Sequence, residues 1–484
     1  MANGDVISWH DFTQETSMHG IRYVKMQKIS LVRRVLWSVF IGGCLTYFMI
    51  ATYLFLRDYD KKLLNTKIKV KNASKLKFPT VTICNQNYWM KKYTTSADIP
   101  EAQASMFREI LSDLYLGYVP SPPPDGKYNW SDPYLMSIVN MSRNGMDEML
   151  RSSAHPMNET FFACLVKGQS TPCDTVLNQI RTDAGYCFQF NENGTFESNS
   201  AGRTGGISFM LDAITSEYYI GPFSYSEGFS VLLHDHTTVP LMAELGYGIP
   251  TGTEMIMNIQ KTETIREPPP ADDNQSDCFD TMTRENPLHF FDSYTYQGCF
   301  QECKAAFVIN LCSCRDLLQP PLNNTRTCDM YEMLYCSTPA LRQFHAHSSH
   351  LDACNCKSEC REIQYSAKVS ALTFPSVGYA RSTLNATPEE IDYMKKNYVA
   401  LTIYYGQMSY ERLEEKVAFT PYDLIANLGG TLGVCIGGSL LTLFEFAEFG
   451  IISLTNLLAK RQSKLKSLVK PFSGNDLYPS KNTF

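Results

Sequence analysis

The sequence predicts an α+β membrane protein in which two transmembrane helices flank a large, disulfide-rich extracellular domain. Three observations lead to this prediction: two long apolar stretches near the ends of the 484-residue chain, 14 of the 16 cysteines between them, and N-glycosylation sequons confined to the same region. The formal net charge is only −6, from 43 basic and 49 acidic residues, so we expect no nucleic-acid partner.

The first apolar stretch, residues 35–56, contains no charged residue over 22 positions. An α-helix of that length spans about 33 Å, enough to cross a hydrocarbon core of about 30 Å. The second stretch, residues 424–459, is interrupted only by Glu445 and Glu448. A signal peptide does not explain the first stretch, which starts far from the N-terminus and lacks a small-residue cleavage site. Both are predicted to be transmembrane helices, and buried helices of a soluble core are the less favoured alternative.

Lysine and arginine residues cluster before the first span and after the second. The positive-inside rule therefore places both termini in the cytoplasm. Residues 1–34 are expected to form a cytoplasmic segment, residues 57–423 the extracellular domain and residues 460–484 a cytoplasmic tail. The chain is thus a multi-pass plasma-membrane protein whose helices contact lipid.

All eight N-x-[ST] sequons lie between the two spans, and none lies in either tail. They begin at Asn72, Asn129, Asn140, Asn158, Asn193, Asn274, Asn323 and Asn385. Because asparagine is glycosylated on the exported side of the membrane, this distribution supports an extracellular middle and predicts these glycosylation sites.

The 14 extracellular cysteines predict seven disulfides, whereas Cys44 and Cys435 lie in the spans and remain free. Cys299 and Cys303 are four residues apart in a predicted helix, where they share a face at a separation of about 6 Å. The next two cysteines, Cys354 and Cys356, are two residues apart, a similar separation of about 6.6 Å in a predicted strand. Two parallel bridges then join helix and strand.

An antiparallel return of the chain arranges these bridges as a nested ladder within residues 278–360. Its five pairs are Cys299–Cys356, Cys303–Cys354, Cys278–Cys360, Cys312–Cys336 and Cys314–Cys328. A zinc site is the alternative, because His345, His347 and His350 lie close in sequence to Cys354, Cys356 and Cys360. It is less favoured, since extracellular thiols oxidise, and we expect no metal.

Strand-like segments flank this cysteine-rich helical region. They cover residues 78–85 (FPTVTICN), 205–211, 229–235, 254–260, 361–373 and 397–405, and residues 100–116 have helical spacing. No catalytic motif accompanies them, so we do not expect an enzyme. His234 and His236 around Asp235 suggest an acid–base or metal site, but a solvated strand end is the favoured interpretation.

The second span combines a helix-packing pattern with features that packing does not explain. Gly429, Gly433 and Gly437 recur every four residues, as in closely packed membrane helices. The segment Gly437–Gly438–Ser439 adds two adjacent glycines, each of which weakens a helix by about 1 kcal/mol. Carboxylates at Glu445 and Glu448 should face water or a partner inside a membrane. A narrow carbonyl and hydroxyl ring above a ring of glutamates predicts cation conduction, and two spans per chain require an oligomer to enclose the pore.

Four features together carry a family resemblance: His19-Gly20 before the first span, FPTVTICN after it, the order of the extracellular cysteines, and NLGGTLGVCIGGSLLTLFEFAEF in the second span. The sequence resembles the epithelial sodium channel, degenerin and acid-sensing ion channel family over nearly its whole length. The resemblance implies a trimer with palm, β-ball, finger, thumb (278–360) and knuckle regions. It also implies sodium selectivity, block by amiloride, and no cofactor besides permeant Na⁺.

The resemblance also implies specific residues. It adds the disulfides Cys84–Cys187 and Cys164–Cys173, and it assigns the selectivity filter to Gly437, Gly438 and Ser439. The pore-lining or gating positions that it implies are His19, Gly20, Ala426, Asn427, Gly430, Glu445 and Glu448.

Departures from the family pattern bear on what opens the gate. Acid-sensing members carry thumb carboxylates where this chain has Thr338 and Arg342, and a histidine pair where residues 57–64 are RDYDKKLL. Asn427 replaces an outer-pore carboxylate. A proton site of clustered carboxylates therefore lacks key members, which favours opening by an extracellular neuropeptide. Proton gating and constitutive conduction are the alternatives, and a homotrimer and a heterotrimer with related subunits stay open. A two-span receptor or adhesion protein is a remote alternative, since it needs neither the glycines nor the intramembrane glutamates.

Overall fold

The structure is a computed structural model, and it describes residues 16, 18, 20–25, 30–61, 64–94, 106, 109–110, 128–218, 226–266 and 278–468. His19, Asn274 and most of the helix predicted at 100–116 lie outside these residues. The chain divides into one unit of Met1–Asn65 with Val417–Phe484 and a second unit of Thr66–Lys416.

Two helices are long and apolar enough to cross a membrane, and both belong to the first unit. The helices are α1 (Ile21–Lys25), α2 (Leu31–Asp60), α3 (Lys91–Thr94), α4 (Pro133–Ser152), α5 (Met157–Thr160), α6 (Met242–Leu245), α7 (Tyr296–Cys312), α8 (Met330–Glu332), α9 (Thr338–Ala346), α10 (Ser348–Ala353), α11 (Val377–Ser382), α12 (Pro388–Asn397), α13 (Pro421–Ile436) and α14 (Leu440–Leu468). The apolar spans are Leu31–Asp60 and Leu441–Ala459, so the first helix extends beyond the predicted limits of 35–56 at both ends.

The second unit is built around two β-sheets. The strands are β1 (Leu64–Asn72), β2 (Leu76–Lys77), β3 (Thr80–Asn85), β4 (Phe161–Val166), β5 (Gln169–Thr171), β6 (Leu177–Thr182), β7 (Gly185–Phe190), β8 (Glu197–Ser198), β9 (Ile207–Asp212), β10 (Gly228–His234), β11 (Tyr247–Pro250), β12 (Thr253–Arg266), β13 (Cys278–Phe279), β14 (Ser358–Glu359), β15 (Arg361–Thr373), β16 (Tyr398–Tyr405) and β17 (Ser409–Val417). One sheet has the order β1-β17-β12-β16-β9-β4-β5, with β15 also paired to β12, and the other has the order β11-β10-β3-β7-β6.

The six predicted strand segments that flank the cysteine-rich region all form strands, and most of them contribute β-branched or aromatic residues to one shared core. β10 and β3 are buried along their whole length, and β16 along most of it, so their apolar side chains contribute to this core. Val81, Phe209 and Leu401 are fully buried within this core. Tyr405 is also fully buried, and its hydroxyl donates to the carbonyl of Lys77 at 2.7 Å.

Seven disulfides join the described cysteines, in the pairs that the sequence analysis expects. They are Cys84–Cys187, Cys164–Cys173, Cys278–Cys360, Cys299–Cys356, Cys303–Cys354, Cys312–Cys336 and Cys314–Cys328. Cys44 and Cys435 are free. Because the cysteines of the zinc hypothesis are all bonded to other sulfurs, that site loses its thiolate ligands.

The strand predicted at Cys354 and Cys356 is wrong. Cys354 ends α10, and Asn355 adopts a positive φ of 46°, which is incompatible with a strand. The turn nevertheless places both cysteines opposite α7, since Cys299–Cys356 and Cys303–Cys354 have the same Cα–Cα distance of 5.8 Å. Two bridges of equal length therefore form without a strand.

Six of the predicted glycosylation sites have exposed asparagines. They are Asn72, Asn129, Asn140, Asn158, Asn193 and Asn385. Exposure leaves each accessible to the modifying enzyme, and glycosylation itself stays a prediction.

A second core joins α4 to the ladder region, and an ionic cluster lies beside it. The guanidinium of Arg315, which is 4% exposed, contacts the carboxylate of Asp147 on α4. The same carboxylate accepts from the Thr327 hydroxyl at 2.8 Å and pairs with Arg181 on β6 at 3.0 Å. Since a buried guanidinium needs a counter-charge, Asp147 connects α4, the ladder and β6.

Asp147→Ala is expected to destabilise this unit by about 2 kcal/mol, because it leaves Arg315 buried without its counter-charge. The measurement is the apparent melting temperature of the detergent-solubilised full chain, which should fall by several degrees. Asp392→Ala, which removes the exposed pair of Asp392 with Lys396 on α12, is the control and should cost at most about 0.5 kcal/mol. Equal melting temperatures of the two variants would contradict a structural role for Asp147.

Candidate ion pathway

The second apolar segment is two helices rather than one. Thr420 caps α13 reciprocally with Asp423, and the helix ends at Ile436. Gly437 then adopts φ +69°, and its N–H donates to the carbonyl of Gly433 at 2.9 Å. This left-handed cap stops the helix, because only glycine takes this conformation without steric cost.

Ser439 and Thr442 begin the next helix. The Thr442 hydroxyl oxygen accepts from the Ser439 N–H at 3.1 Å, and the Ser439 hydroxyl oxygen accepts from the Thr442 N–H at 3.4 Å. Gly438 lies so close to Leu432 that an added Cβ would be 2.9 Å from its Cγ. Sequence reasoning identified Gly437, Gly438 and Ser439 but missed Thr442, whose position three residues after a cap serine was the available signal.

The predicted gating positions on α13 lie on the surface of this single chain. Ala426, Asn427 and Gly430 are exposed. A Cβ added to Gly429 or Gly430 would meet no atom within 4 Å. The helix therefore offers an open small-residue face, as close packing between subunits requires.

The N-terminal segment packs on α2 through Gly20. Its φ is +88°, and an added Cβ would lie 3.0 Å from the indole ring of Trp37. Tyr23 on α1 stacks on the same indole with ring centroids 4.9 Å apart. The glycine of the His-Gly pair is thus required twice, by its backbone conformation and by the close indole.

The same segment also reaches α14. The Thr16 hydroxyl donates to a carboxylate oxygen of Glu445 at 2.9 Å, whereas Glu448 is exposed. The two glutamates predicted to act together therefore have different surroundings. Nothing in the sequence marked Thr16, because the contact joins residues 429 positions apart.

The second unit, Thr66–Lys416, places the other predicted residues as follows. Thr338 is the first residue of α9, and Arg342 on the same helix keeps Nε and one terminal nitrogen buried without a partner among the described residues. His234 is 6% exposed and bonds to the Thr82 hydroxyl, so the predicted solvated strand end is wrong there. Burial lowers the pKa of His234, and His236 pairs with Asp235 instead.

One buried carboxylate of this unit has a raised pKa. Asp183, in the turn between β6 and β7, accepts from the N–H groups of Met242 at 2.7 Å and Ala243 on α6. Burial raises the pKa of Asp183 to about 6, and the two N–H donors and Lys304 only partly offset that effect. Lys304 itself lies 3.7 Å from Glu244, so charges from α6 and α7 meet at this turn.

A family model described as amiloride-sensitive sodium channel matches residues 12–449. The chain belongs to this family. It is therefore an ion-channel subunit and not an enzyme, and channels of this family assemble as trimers that amiloride blocks.

Several known channels are similar to this family member over most of their length. It is 26% identical to acid-sensing ion channel 2 of Rattus norvegicus, over 90% of this chain and 85% of that protein. It is 28% identical to the bile acid-sensitive ion channel of Homo sapiens, over 91% and 85%. A cryo-EM structure of a proton-activated chloride channel aligns with 9% identity and a TM-score of 0.25, over 86% of this chain and 96% of that one. A likeness at that level carries no conclusion about the fold.

Gly437→Val is expected to reduce the current of this sodium-channel family member at least about tenfold. A β-branched side chain at positive φ costs about 1–2 kcal/mol in each subunit and distorts the break between α13 and α14. The measurement is whole-cell current divided by surface abundance, with Gly450→Val as the control because an added Cβ there meets no atom within 4 Å. Unchanged current and Na⁺/K⁺ selectivity in Gly437→Val would place the filter elsewhere.

Gly20→Ala is expected to lower the current per surface channel severalfold, since alanine at φ +88° and 3.0 Å from Trp37 displaces the N-terminal segment. Gly42→Ala on α2 is the matched control, because nothing lies within 4 Å of its added Cβ. If both variants conduct like the parent chain, the packing of Gly20 on Trp37 does not support conduction.

Proposed function

We propose that this chain forms a trimeric, sodium-selective, amiloride-sensitive cation channel that an extracellular peptide opens, with both termini in the cytoplasm. The observation that carries the proposal is the three-residue break at Gly437–Ser439 between two apolar helices, in a chain of the sodium-channel family.

The break supports conduction for a physical reason. Backbone groups outside a helix have no partner in lipid, so a non-helical segment at membrane depth belongs beside water or protein. Carbonyl and hydroxyl oxygens in such a segment replace part of the hydration shell of a cation. The exposed carboxylate of Glu448 on the following helix adds negative charge that attracts cations.

The residues at two positions of the thumb favour gating by a ligand other than the proton. Thr338 cannot titrate, and Arg342 carries a positive charge where a carboxylate pair would be needed. Two side-chain nitrogens of Arg342 are buried and have no hydrogen-bond partner among the described residues, which supports the absence of a carboxylate pair at this position.

Expression in oocytes tests the proposal. We expect a peptide from a panel of short extracellular neuropeptides to evoke an inward current that amiloride blocks and that replacement of external Na⁺ abolishes. Acid steps and bile acids are applied to the same cells as competing stimuli. If no stimulus evokes an amiloride-sensitive current, even in Ala426→Phe designed to crowd the closed pore, the channel proposal fails.

Proton gating is the second candidate function, because similar proteins are acid-sensing ion channels and because Asp183 titrates near pH 6. Because its pKa is raised, Asp183 stabilises this conformation in its protonated form. The stabilisation is fully present below the ordinary carboxyl pKa of about 3.9, and it is lost as the pH rises through about 6. Acid therefore favours the arrangement of β6, β7 and α6 seen here.

Asp183→Asn should remove this contribution. The rise in apparent melting temperature between pH 7.5 and pH 5 should be smaller in Asp183→Asn than in the parent chain, and any acid-evoked current should shift in pH dependence. Asp174→Asn, at an exposed aspartate, is the control. Identical pH profiles of all three proteins would exclude Asp183 as a proton sensor.

A further inference from the structure

The two cysteines outside the seven disulfides lie next to each other in the first unit. Cys44 is near the middle of α2, and Cys435 is the residue before the end of α13. Although they are far apart in sequence, the Cys44 side chain is a hydrogen-bond partner of the Cys435 thiol. The sequence predicts two separate free thiols, and the fold makes them a pair.

A second contact shows that α2 and α13 run antiparallel beside each other. The ring of Phe55 on α2 stacks on that of Phe419, which precedes α13, with centroids 6.2 Å apart. From this pair to the pair of Cys44 and Cys435, residue numbers fall along α2 and rise along α13. The thiol contact is therefore part of an extended contact between the two helices.

The thiol pair lies beside the break in the second apolar segment. Cys435 is two residues before Gly437, whose left-handed backbone ends α13. Because non-helical backbone at membrane depth needs water or protein beside it, the thiol pair borders a region that is not simply lipid. Both cysteines are half-exposed on this chain, so a small oxidant can reach their sulfurs.

Two thiols in contact are suited to form a disulfide. Their sulfurs need only small side-chain movements to reach the S–S bond length of about 2.05 Å. Thiols in apolar surroundings ionise little and react slowly with water-borne oxidants. An oxidant that dissolves in the membrane is therefore the chemical class that fits this pair.

We propose that Cys44 and Cys435 form a redox modification site, which a lipid hydroperoxide oxidises to a disulfide between α2 and α13. One thiol sulfur attacks the peroxide O–O bond, becomes a sulfenic acid and releases the lipid as its alcohol. The second sulfur then displaces water from the sulfenic acid and forms the S–S bond. The two sulfurs lose two electrons to the peroxide oxygens, and the two thiol protons leave in the alcohol and the water.

The disulfide holds α2 and α13 in the arrangement seen here. A stimulus opens a channel by shifting it between arrangements of its helices, so a covalent link beside the break at Gly437 reduces the response to any stimulus. The modification goes beyond the proposed peptide gating. Its formation does not require the chain to conduct, so the site and the proposed function can fail separately.

The chemical test treats membranes that contain the full chain with cumene hydroperoxide, a membrane-soluble probe. Remaining thiols are blocked with N-ethylmaleimide, and peptides are mapped by mass spectrometry without reduction. We expect a peptide of Cys44 linked to a peptide of Cys435, which dithiothreitol separates. The oxidised chain should still run as a monomer in denaturing electrophoresis, because the link lies within one chain.

The matched control combines Cys44→Ser with Leu45→Cys, which keeps the number of thiols and turns one of them by about 100° around α2. Leu45 is 45% exposed, so the reagents reach the new thiol. The linked fraction should fall at least about tenfold, because a disulfide needs Cα atoms within about 7 Å and Cβ atoms that point toward each other. Equal linkage in both proteins, no linkage in the parent chain, or linkage only between chains would overturn the site.

Current recordings test the effect of the disulfide, with surface abundance measured for each variant. Cumene hydroperoxide should bring the ratio of stimulated to resting current in the parent chain toward one, and dithiothreitol should restore that ratio. Cys44→Ser and Cys435→Ser should keep their ratios through the same treatment. An equal loss in all three proteins would overturn the assignment of the effect to this pair. Linkage in the parent chain with an unchanged ratio would support the modification site and overturn its effect on gating.

Discussion

The left-handed backbone of Gly437 is the constraint on which the structure of the second apolar segment depends. It ends α13 and allows α14 to start three residues later, with Ser439 and Thr442 capping the new helix. In lipid the intervening backbone groups would have no partners, so the break is stable only beside water, ions or other protein. One glycine conformation therefore connects the chain's local structure with the need for an oligomer and with conduction.

Two further glycines, Gly20 and Gly430, matter because they leave room for neighbouring groups. Gly20 allows the N-terminal segment to lie against the Trp37 ring, and from there Thr16 reaches Glu445. Gly430 leaves the face of α13 open for a neighbouring helix. The N-terminal segment and the second apolar segment are thus shaped by glycines at positions where a side chain would collide or close a helix face. Glu445, which accepts from Thr16, and the exposed Glu448 have different surroundings.

The second unit, Thr66–Lys416, combines a disulfide-linked framework with buried polar atoms that have no hydrogen-bond partner among the described residues. The disulfide ladder and the shared sheet core restrict the elements that carry Gln301 and Gln319, while their Nε2 atoms keep no described partner. Asp183 accepts from two α6 N–H groups in a buried position that raises its pKa to about 6. Buried groups left partly unsatisfied reduce stability, and proteins retain them mainly where a ligand or a proton completes them.

The sequence by itself determined the membrane class, the strands and the disulfide ladder, because these follow from local composition and from spacing along the chain. An apolar stretch of 22 residues at 35–56 needs no tertiary partner to indicate a span. Cys299 and Cys303 share a helix face whatever surrounds them. The left-handed Asn355 that replaced the expected strand lies between two cysteines bonded to α7, and the buried His234 bonds to Thr82 on β3, so both features involve segments distant in sequence.

Only the tertiary structure decided which distant residues meet. Thr16 with Glu445, and Asp147 with Arg315, are far apart in sequence, and no periodicity encodes such pairs. Likewise, Gln301 and Gln319 resemble ordinary surface glutamines in the sequence. Only folding buries them and leaves their amides without acceptors, because burial and hydrogen-bond satisfaction are properties of the packed chain.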